Sequence, residues 1–341
     1  MADRLGERLW ESRSPGSMAL RTALTPASWL YGGVIRARNT AFYRGWLESY
    51  DLGLPTVSVG NLTVGGTGKT PIASWFAGRM VEHGARPAIL LRGYGGDETL
   101  VHRALVPEAI VIADADRVRA ARQAAQQGAT ALVLDDGFQH RRARRSADVV
   151  LLSADRHRQE RLLPAGPWRE PEGSLRRATH IVVTRKHSTQ EEAVAVAERA
   201  SRIAPAAAVA VAQLAADALV RVSTGKRLPV DAVAGRSVLA VSAVSDPRAF
   251  AAQLGAVGAR CIQRAFPDHH AFTEADAHRL ARDATDTDFA VCTLKDAVKL
   301  ESLWPPSAPP LWYLSQRVNL ELGADVLESL ARMLAGRAHD R

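Results

Sequence analysis

Short runs of β-branched and aliphatic residues alternate with amphipathic stretches from residue 55 onward. The amphipathic stretches are about ten to fifteen residues long, as expected of the helices that connect parallel strands. The pattern therefore predicts an α/β fold with a mainly parallel sheet. In the first half, strands are predicted at residues 56–59, 88–91, 109–113, 131–134, 149–152 and 181–183, and helices at residues 70–83, 116–127 and 189–203.

The pattern changes between residues 207 and 235, where short extended segments occur without a clear helix. We interpret this stretch as a hinge. The alternation then resumes, with strands predicted at residues 238–241, 261–266, 289–293 and 312–314 and a helix at 273–284. We predict four parts: an N-terminal amphipathic segment (1–50), a larger α/β domain (51–206), an extended hinge (207–236) and a smaller C-terminal α/β domain (237–341).

A glycine-rich loop joins the first predicted strand to the first predicted helix. It matches the P-loop pattern G-x-x-x-x-G-K-[ST], except that Thr63 replaces the first glycine. Lys69 is placed to reach the β- and γ-phosphates, and the Thr70 hydroxyl is placed for Mg²⁺. A glycine-rich turn without a ligand would not need Lys69 in a chain with five lysines. The predicted nucleotide-binding residues are Thr63, Val64, Gly65, Gly66, Thr67, Gly68, Lys69 and Thr70.

An apolar strand ends in two aspartates, Asp135 and Asp136. This arrangement resembles a Walker B element, whose aspartate holds Mg²⁺ directly or through water. Either aspartate, together with Thr70, is a predicted Mg²⁺ ligand. The alternative is a pair of carboxylates that cap a turn at Gly137.

Further polar clusters follow other predicted strands. Residues 88–91 lead into RGYGGDE (92–98), where Asp97 is a candidate general base, although Gly-Gly-Asp is also an ordinary turn. In the second domain, FPDHH (266–270) and TLKD (293–296) end two strands. Ligands in open α/β sheets bind beyond the carboxyl ends of strands. A carboxylate and a histidine from the two domains could therefore meet, although a lone histidine is usually structural.

Charge and aromatic residues add a candidate surface. The formal net charge is +8, and arginine dominates the basic residues, which favours anionic partners but also fits a solvated surface. Residues 26–46 combine aromatic side chains with arginines, as an interfacial membrane helix does; packing on the protein's own core is the alternative. No run of apolar residues is long enough to span a bilayer, and no secretory signal is evident. Cys261 and Cys292 lie in apolar stretches and are expected to be buried and reduced.

Taken together, the motifs resemble those of the tetraacyldisaccharide 4'-kinases, the lipid A 4'-kinases. The matching segments are VGNLTVGGTGKTP (59–71), RGYGG (92–96), DDGFQH (135–140), LPAGPWRE (163–170) and KDAVK (295–299). The resemblance accounts for Thr63, because the family's P-loop begins in the same way. It implies a P-loop domain, ATP with Mg²⁺, and transfer to the 4'-hydroxyl of an anionic lipid disaccharide 1-phosphate. It also implies a peripheral position on the cytoplasmic face of the bacterial inner membrane.

The resemblance further implies three catalytic residues, Lys69 and a dyad of Asp97 and His269, one dyad residue from each domain. Glu98, His140 and Arg169 lie in or beside these motifs and are predicted to contact the substrate. The chain departs from the family in that Gly96-Asp97-Glu98 follows the RGY motif without the usual insert, Thr99 replaces a proline, and Leu294 replaces a glutamate.

Two other classes of protein share parts of this pattern. Partition-type and metallochaperone ATPases have a similar P-loop, but they carry a lysine before the glycine pair, where this chain has Val64. A binding module without turnover would need neither Asp97 nor the two aspartates at 135 and 136. We therefore expect a kinase, with no nucleic-acid or protein partner.

Overall fold

The computed structural model describes residues 10, 12, 14–93, 96–155, 160–244 and 247–336. Tyr94 and Gly95 of the RGYGG motif lie outside the described residues. The chain divides into two compact units. Unit 1 consists of Met1–Gly93, Val106–Leu214 and Val318–Arg341, and unit 2 consists of Tyr94–Leu105 and Ala215–Arg317.

This division differs from the sequence-based boundaries in three ways. Residues 94–105, which the sequence analysis assigns to the larger domain, belong to unit 2. Residues 318–341, which the sequence analysis assigns to the smaller domain, belong to unit 1. The expected hinge is largely a long strand, Ala208–Arg221, whose residues contribute to both units. Hydrophobic alternation predicts individual elements but does not show to which core a segment returns.

Unit 1 contains a parallel sheet. Its strands are β1 (Thr56–Asn61), β2 (Pro87–Leu91), β3 (Ile110–Ala113), β4 (Ala131–Asp135), β5 (Ala147–Ser153), β6 (His180–Arg185) and the first half of β7 (Ala208–Arg221). They are arranged in the order β7-β6-β5-β1-β4-β2-β3, and neighbours pair in parallel. The α/β fold with a mainly parallel sheet is confirmed.

Helices lie against this sheet. In unit 1 they are α1 (Pro15–Ala23), α2 (Thr25–Tyr43), α3 (Lys69–Glu82), α5 (Arg117–Gln126), α6 (Gln190–Ile203) and α10 (Ala324–Gly336). α3 begins directly after the glycine-rich loop and buries Ile72, Phe76 and Met80 in a core shared with β1 and α10. Asp116 caps α5 by accepting bonds from the N–H groups of Val118 and Arg119, as its sequence position predicts.

Unit 2 is a smaller α/β unit. It contains α4 (Asp97–Leu105), β8 (Arg227–Pro229), β9 (Ser237–Ser242), α7 (Pro247–Ala256), β10 (Arg260–Ala265), α8 (Glu274–Ala284), β11 (Phe289–Thr293), α9 (Leu294–Leu300) and the first half of β12 (Leu311–Leu322). The strands β10, β9, β11 and β12 are neighbours in that order and pair in parallel, whereas β8 pairs antiparallel with the end of β7. Cys292 is buried and Cys261 is partly buried, and both are free.

The N-terminal helix α2 has an unusual distribution of side chains. Its buried positions are the small or polar residues Ser28, Gly32 and Asn39. Its large apolar residues point outward: Trp29 is 74 %, Leu30 72 % and Val34 58 % exposed. These residues therefore do not pack on the core of the protein. Among the described residues, no helix is both long and apolar enough to cross a membrane.

Candidate active site

Two glycines allow the end of β1 to approach the turn after β4. A Cβ atom on Gly60 would lie 2.6 Å from Cβ of Phe138 and 2.8 Å from its backbone nitrogen. A Cβ atom on Gly137 would lie 2.7 Å from Cβ of Leu134 and from Oγ of Ser58. All four distances are too short for the Cβ atom of a side chain. The two glycines thus bring the Asp135-Asp136 pair against the strand that leads into the P-loop.

The P-loop is held in shape from its inner side. Gly65 and Gly68 have φ angles of 102° and 84°, which glycine adopts without strain. The Asn61 side chain donates a hydrogen bond to the Thr67 hydroxyl at 2.8 Å. The hydroxyl of Thr184, in β6, donates to the Thr67 carbonyl at 2.9 Å. These bonds fix the loop before any ligand binds.

The loop ends at the N-terminus of α3, where Lys69 and Thr70 form the first turn. Backbone N–H groups in a first helical turn have no acceptor within the helix, and the helix dipole favours negative charge there. Pro71, the third residue, has no N–H group. The Lys69 and Thr70 N–H groups at this helix end thus suit a phosphate group.

A second loop, residues 161–170, covers the first half of the P-loop. The Val64 N–H donates to the Pro167 carbonyl at 2.8 Å, and the Arg169 N–H donates to the Leu62 carbonyl at 2.7 Å. Val64 is a predicted nucleotide-binding residue, and its N–H group is bonded to the protein. Thr63 lies in the same contact, as a bridge partner of Trp168.

Loop 161–170 is fastened in turn to α2. The Ser28 hydroxyl donates to the Leu162 carbonyl at 2.9 Å, and the Tyr31 hydroxyl donates to the Arg169 carbonyl at 2.9 Å. Asn39 donates to the buried Glu170 carboxylate at 2.9 Å, and Arg177 binds the same carboxylate through both terminal nitrogens. Helix α2 thus supports the loop that covers the P-loop.

Asp136 lies where the P-loop and loop 161–170 meet. Its Oδ1 atom is 3.8 Å from Nζ of Lys69, and Arg169 donates to both carboxylate oxygens, at 3.0 and 2.8 Å. Burial by itself raises the pKa of Asp136, but the charges of Lys69 and Arg169 lower it by more than burial raises it. The net pKa is therefore below its ordinary value. The carboxylate is therefore ionised at neutral pH.

Asp135 is the last residue of β4 and is nearly buried. Arg117 donates to its carbonyl at 3.2 Å and to the Asp114 carbonyl at 2.6 Å. Burial lowers the pKa of Arg117 to about 10, partly opposed by the charges of Asp135 and Asp136. Arg117 thus remains a cation at neutral pH behind the aspartate pair. The sequence analysis did not single it out.

His140 lies in the turn after β4, and its imidazole is partly buried and neutral. Burial, together with Arg117 and Arg145, lowers the pKa of its imidazole to about 4, so the ring is neutral at pH 7. Its Nε2 atom is buried and has no hydrogen-bond partner among the described residues. Nearby, Gln139 donates to the Asn61 carbonyl at 2.9 Å and links this turn to β1.

Unit 2 carries the second group of predicted site residues. Asp97, the first residue of α4, has its Oδ2 atom 2.9 Å from Nδ1 of His269. His269 has a φ angle of 56°, in the left-handed region that non-glycine residues rarely adopt. Asp97 is nearly buried, whereas the His269 side chain is about half exposed. The resemblance implied one residue from each domain, but both residues belong to unit 2.

The Asp97 carboxylate and the His269 imidazole shift each other's pKa. Burial raises the pKa of Asp97, but the hydrogen bond and charge of His269, with the charges of Lys295 and Lys299, lower it to below its ordinary value. The hydrogen bond to Asp97 raises the pKa of His269 above 6.5, against the opposing effect of burial. Asp97 is thus an ionised carboxylate, and its Oδ2 atom is hydrogen-bonded to an imidazole.

A family model described as tetraacyldisaccharide-1-P 4'-kinase matches residues 20–335. This covers both units, and the motifs quoted above lie within it. The chain belongs to this kinase family.

Named relatives are similar in sequence to this chain over almost its whole length. The tetraacyldisaccharide 4'-kinase of Anaeromyxobacter sp. (strain K) is 37% identical, over 95% of this chain and 93% of the relative. The enzyme of the same name from Halorhodospira halophila is 35% identical, over 94% of each chain. A crystal structure of LpxK from Aquifex aeolicus in complex with ATP is similar with a TM-score of 0.73 and 28% identity, covering 92% of this chain and 99% of that one.

Membership in the kinase family excludes the partition-type and metallochaperone ATPases considered above. The structure brings together the predicted residues Lys69, Asp136 and Arg169 in unit 1 and joins Asp97 to His269 in unit 2. Glu98 follows Asp97 in α4, and its N–H donates to the Asp97 carboxylate at 3.1 Å. Sequence reasoning missed Asn61, Arg117 and Lys299, although Asn61 and Lys299 lie inside the motifs that carry the resemblance.

Proposed function

We propose that this chain transfers the γ-phosphate of ATP to the 4'-hydroxyl of a tetraacyldisaccharide 1-phosphate, a step of lipid A biosynthesis. The observation that carries the proposal is the placement of Lys69. It stands at the open N-terminus of α3, 3.8 Å from an ionised aspartate that follows a buried strand, in a member of this kinase family. The relative from Aquifex aeolicus in complex with ATP supports ATP as the phosphate donor.

The nucleotide phosphates would lie on residues 65–70. Gly65, Gly66, Thr67 and Gly68 shape the loop, and the N–H groups of Lys69 and Thr70 face the phosphates at the helix N-terminus. The Lys69 ammonium would balance charge on the transferred group, since phosphoryl transfer depends mainly on positioning and charge stabilisation. Thr63 and Val64 would act through their contacts with loop 161–170 and not through their side chains.

The residues around the P-loop fit Mg²⁺. The donor set is the Thr70 hydroxyl with the carboxylates of Asp135 and Asp136, and hard oxygen ligands are those that Mg²⁺ prefers. Asp136 is ionised, as a ligand must be. Among the described residues, no three His, Cys, Asp or Glu side chains cluster as a metal site, so water and nucleotide oxygens would complete the coordination. Mg²⁺ would there neutralise charge on the β- and γ-phosphates.

Asp97 is the proposed general base. An ionised, nearly buried carboxylate can accept the proton of the attacking hydroxyl, and His269 holds that carboxylate in place and stabilises its charge. Glu98, His140 and Arg169 are proposed acceptor contacts. Arg169 also orients Asp136, and the neutral His140 would act as a hydrogen-bonding group and not as a cation.

We place the protein at the cytoplasmic face of the inner membrane, as a peripheral protein. The outward-facing Trp29, Leu30 and Val34 on α2 support this, together with the exposed Tyr43 and Trp46 beyond them. Interfacial helices bury such side chains at the boundary of headgroups and acyl chains, and neighbouring arginines favour anionic lipid. A lipid acceptor at the same surface would then reach the protein without leaving the membrane.

The test is incubation of the purified protein with γ-³²P-labelled ATP and a panel of lipid disaccharides, with and without detergent. The account expects label in a tetraacyldisaccharide 1-phosphate and little ATP hydrolysis without an acceptor. Acceptor-independent hydrolysis with no labelled lipid would contradict a kinase function and would instead indicate an ATPase.

A further inference from the structure

A second buried carboxylate lies close to the Asp97–His269 pair. Asp296, in α9, is fully buried. Its Oδ2 atom accepts a hydrogen bond from the Thr293 hydroxyl at 2.6 Å and from the Ala243 N–H at 3.0 Å. A buried carboxylate is destabilising unless a cation compensates it.

Lys299, one turn further along α9, supplies that cation. Its Nζ atom lies 3.4 Å from Oδ1 of Asp296 and 3.9 Å from Oδ2 of Asp97. The ammonium also donates to the His270 carbonyl at 3.2 Å and lies 5.4 Å from the centre of the Phe272 ring. One ammonium group is thus shared by two carboxylates and by the loop that contains His269.

Asp296 is tied to the same loop by a second route. The Ala243 carbonyl accepts the N–H of His269 at 3.2 Å, while the Ala243 N–H donates to Asp296. His269 has a backbone conformation that a non-glycine residue keeps only when its surroundings hold it. Asp296 and Lys299 therefore act on the His269 loop from two sides.

We propose that Lys299 is a positioning residue for phosphoryl transfer: its ammonium, anchored on Asp296, holds the Asp97 carboxylate and the His269 loop in the arrangement that accepts the hydroxyl proton. This inference rests on the proposed kinase function and on the role given there to Asp97. Asp296 is the anchor, because it fixes where the flexible lysine side chain ends.

The effect of Lys299 on titration follows from the charges around Asp97. The charged or titratable side chains on the packed elements are Glu98, His102 and Arg103 of α4, Asp268, His269 and His270 of the loop, and Lys295, Asp296 and Lys299 of α9. Of these, His269, Lys295 and Lys299 carry the charges that lower the pKa of Asp97. Removing the Lys299 ammonium removes a positive charge beside the pair, so the pair holds its proton more tightly. The acidic limb of kcat/KM then moves to higher pH. Lys295 remains and prevents complete loss.

The experiment compares Lys299→Met, Lys299→Gln and Lys299→Arg with wild type across pH. For the neutral variants we expect kcat/KM to fall on the order of tenfold near pH 6 and much less near pH 9. KM for ATP should be unchanged. Lys299→Arg, which keeps the charge, should recover most of the activity. Lys226→Met, at the exposed turn between β7 and β8, is the matched control and should behave as wild type.

A second readout does not depend on activity. The imidazole Cε1–H resonance of His269, identified by its loss in His269→Asn, should titrate at higher pH in Lys299→Met than in wild type. An unchanged midpoint together with an unchanged pH profile would overturn the proposal, and so would failure of both neutral variants to fold. An inactive wild type with a shifted midpoint would instead count against the kinase function, and with it the role in phosphoryl transfer, and would leave only the action of Lys299 on the Asp97–His269 pair supported.

Discussion

Nδ1 of His269 lies 2.9 Å from Oδ2 of Asp97, a residue 172 positions earlier in the chain. If the two residues act as one unit, removing either disables the same step. We expect Asp97→Ala and His269→Ala each to lower kcat by roughly 10²- to 10⁴-fold, and the double variant to lose little more than the worse single variant. The measurement is kcat for all four proteins at saturating ATP and acceptor.

The exposed His278 of α8 provides the control, and His278→Ala should leave kcat unchanged. A double variant whose loss equals the product of the two single losses would show that the residues act independently. A nearly normal Asp97→Ala would move the base elsewhere, with Glu98 as the next residue to test.

The close approach of β1 to the turn after β4 predicts a pair of opposite effects. Gly60→Ala places a Cβ atom 2.6 Å from Cβ of Phe138, so we expect a loss of about 1–3 kcal/mol in the free energy of unfolding. Gly78→Ala, in α3, meets nothing within 4 Å and should stabilise the protein by about 0.4–1 kcal/mol. Denaturant unfolding checks both. Equal effects of the two substitutions would mean that the approach of β1 and this turn is not so close.

The buried Glu170 predicts a loss of stability in acid. Burial raises its pKa, but the bonds and charge of Arg177 and the bond from Asn39 lower it to below its ordinary value of 4.5. A depressed pKa gives stability that is present above the unfolded-state pKa and is lost as pH falls through the folded-state pKa. Wild type should therefore lose stability below about pH 4.5, in a window that Glu170→Gln lacks.

At neutral pH, Glu170→Ala should cost about 3–5 kcal/mol, because it leaves the charge of Arg177 buried without its partner. Chemical denaturation of wild type, Glu170→Gln and Glu170→Ala at several pH values separates the two effects. Glu198→Gln, on the exposed face of α6, is the control and should follow wild type throughout. An identical acid dependence in Glu170→Gln would show that other carboxylates cause the acid lability.

Local patterns in the sequence predicted the P-loop, because glycines, a lysine and a strand-to-helix junction occupy one short segment. The two aspartates at the end of β4 were found for the same reason. Strand-end positions marked Asp97 as a candidate base and a histidine as its candidate partner. The specific pairing with His269 came from family resemblance, since no spacing rule relates residues 172 positions apart. Loop 161–170 was recognised as a motif, but its hydrogen bonds to Leu62 and Val64 depend on tertiary packing. No helix was predicted at residues 97–105, and the membership of α4 in unit 2 was missed because a local pattern does not show against which core a segment packs.

Substitutions on the outward face of α2 should weaken membrane binding without unfolding the protein. Replacing Trp29, Leu30 and Val34 together by glutamine removes exposed apolar surface, so the affinity for anionic vesicles should fall by about tenfold or more. Ile262 and Leu322 are also exposed, and their replacement by glutamine is the control. Vesicle sedimentation measures both variants. Point substitutions are preferable to deletion of the helix, since α2 also supports loop 161–170. Unchanged sedimentation of the triple variant would show that α2 does not bind the membrane.

The central claim is transfer of the γ-phosphate of ATP to one hydroxyl of a lipid disaccharide. The decisive measurement is the ³²P incorporated from labelled ATP into a tetraacyldisaccharide 1-phosphate, compared with the same lipid methylated at its 4'-oxygen, for wild type and Lys69→Ala. We predict label in the free 4'-hydroxyl acceptor only, and a loss on the order of at least 10²-fold in a folded Lys69→Ala protein, because Lys69 acts on the phosphate and not as packing. Equal labelling of the methylated lipid, or a Lys69→Ala protein within a few-fold of wild type, would contradict the account.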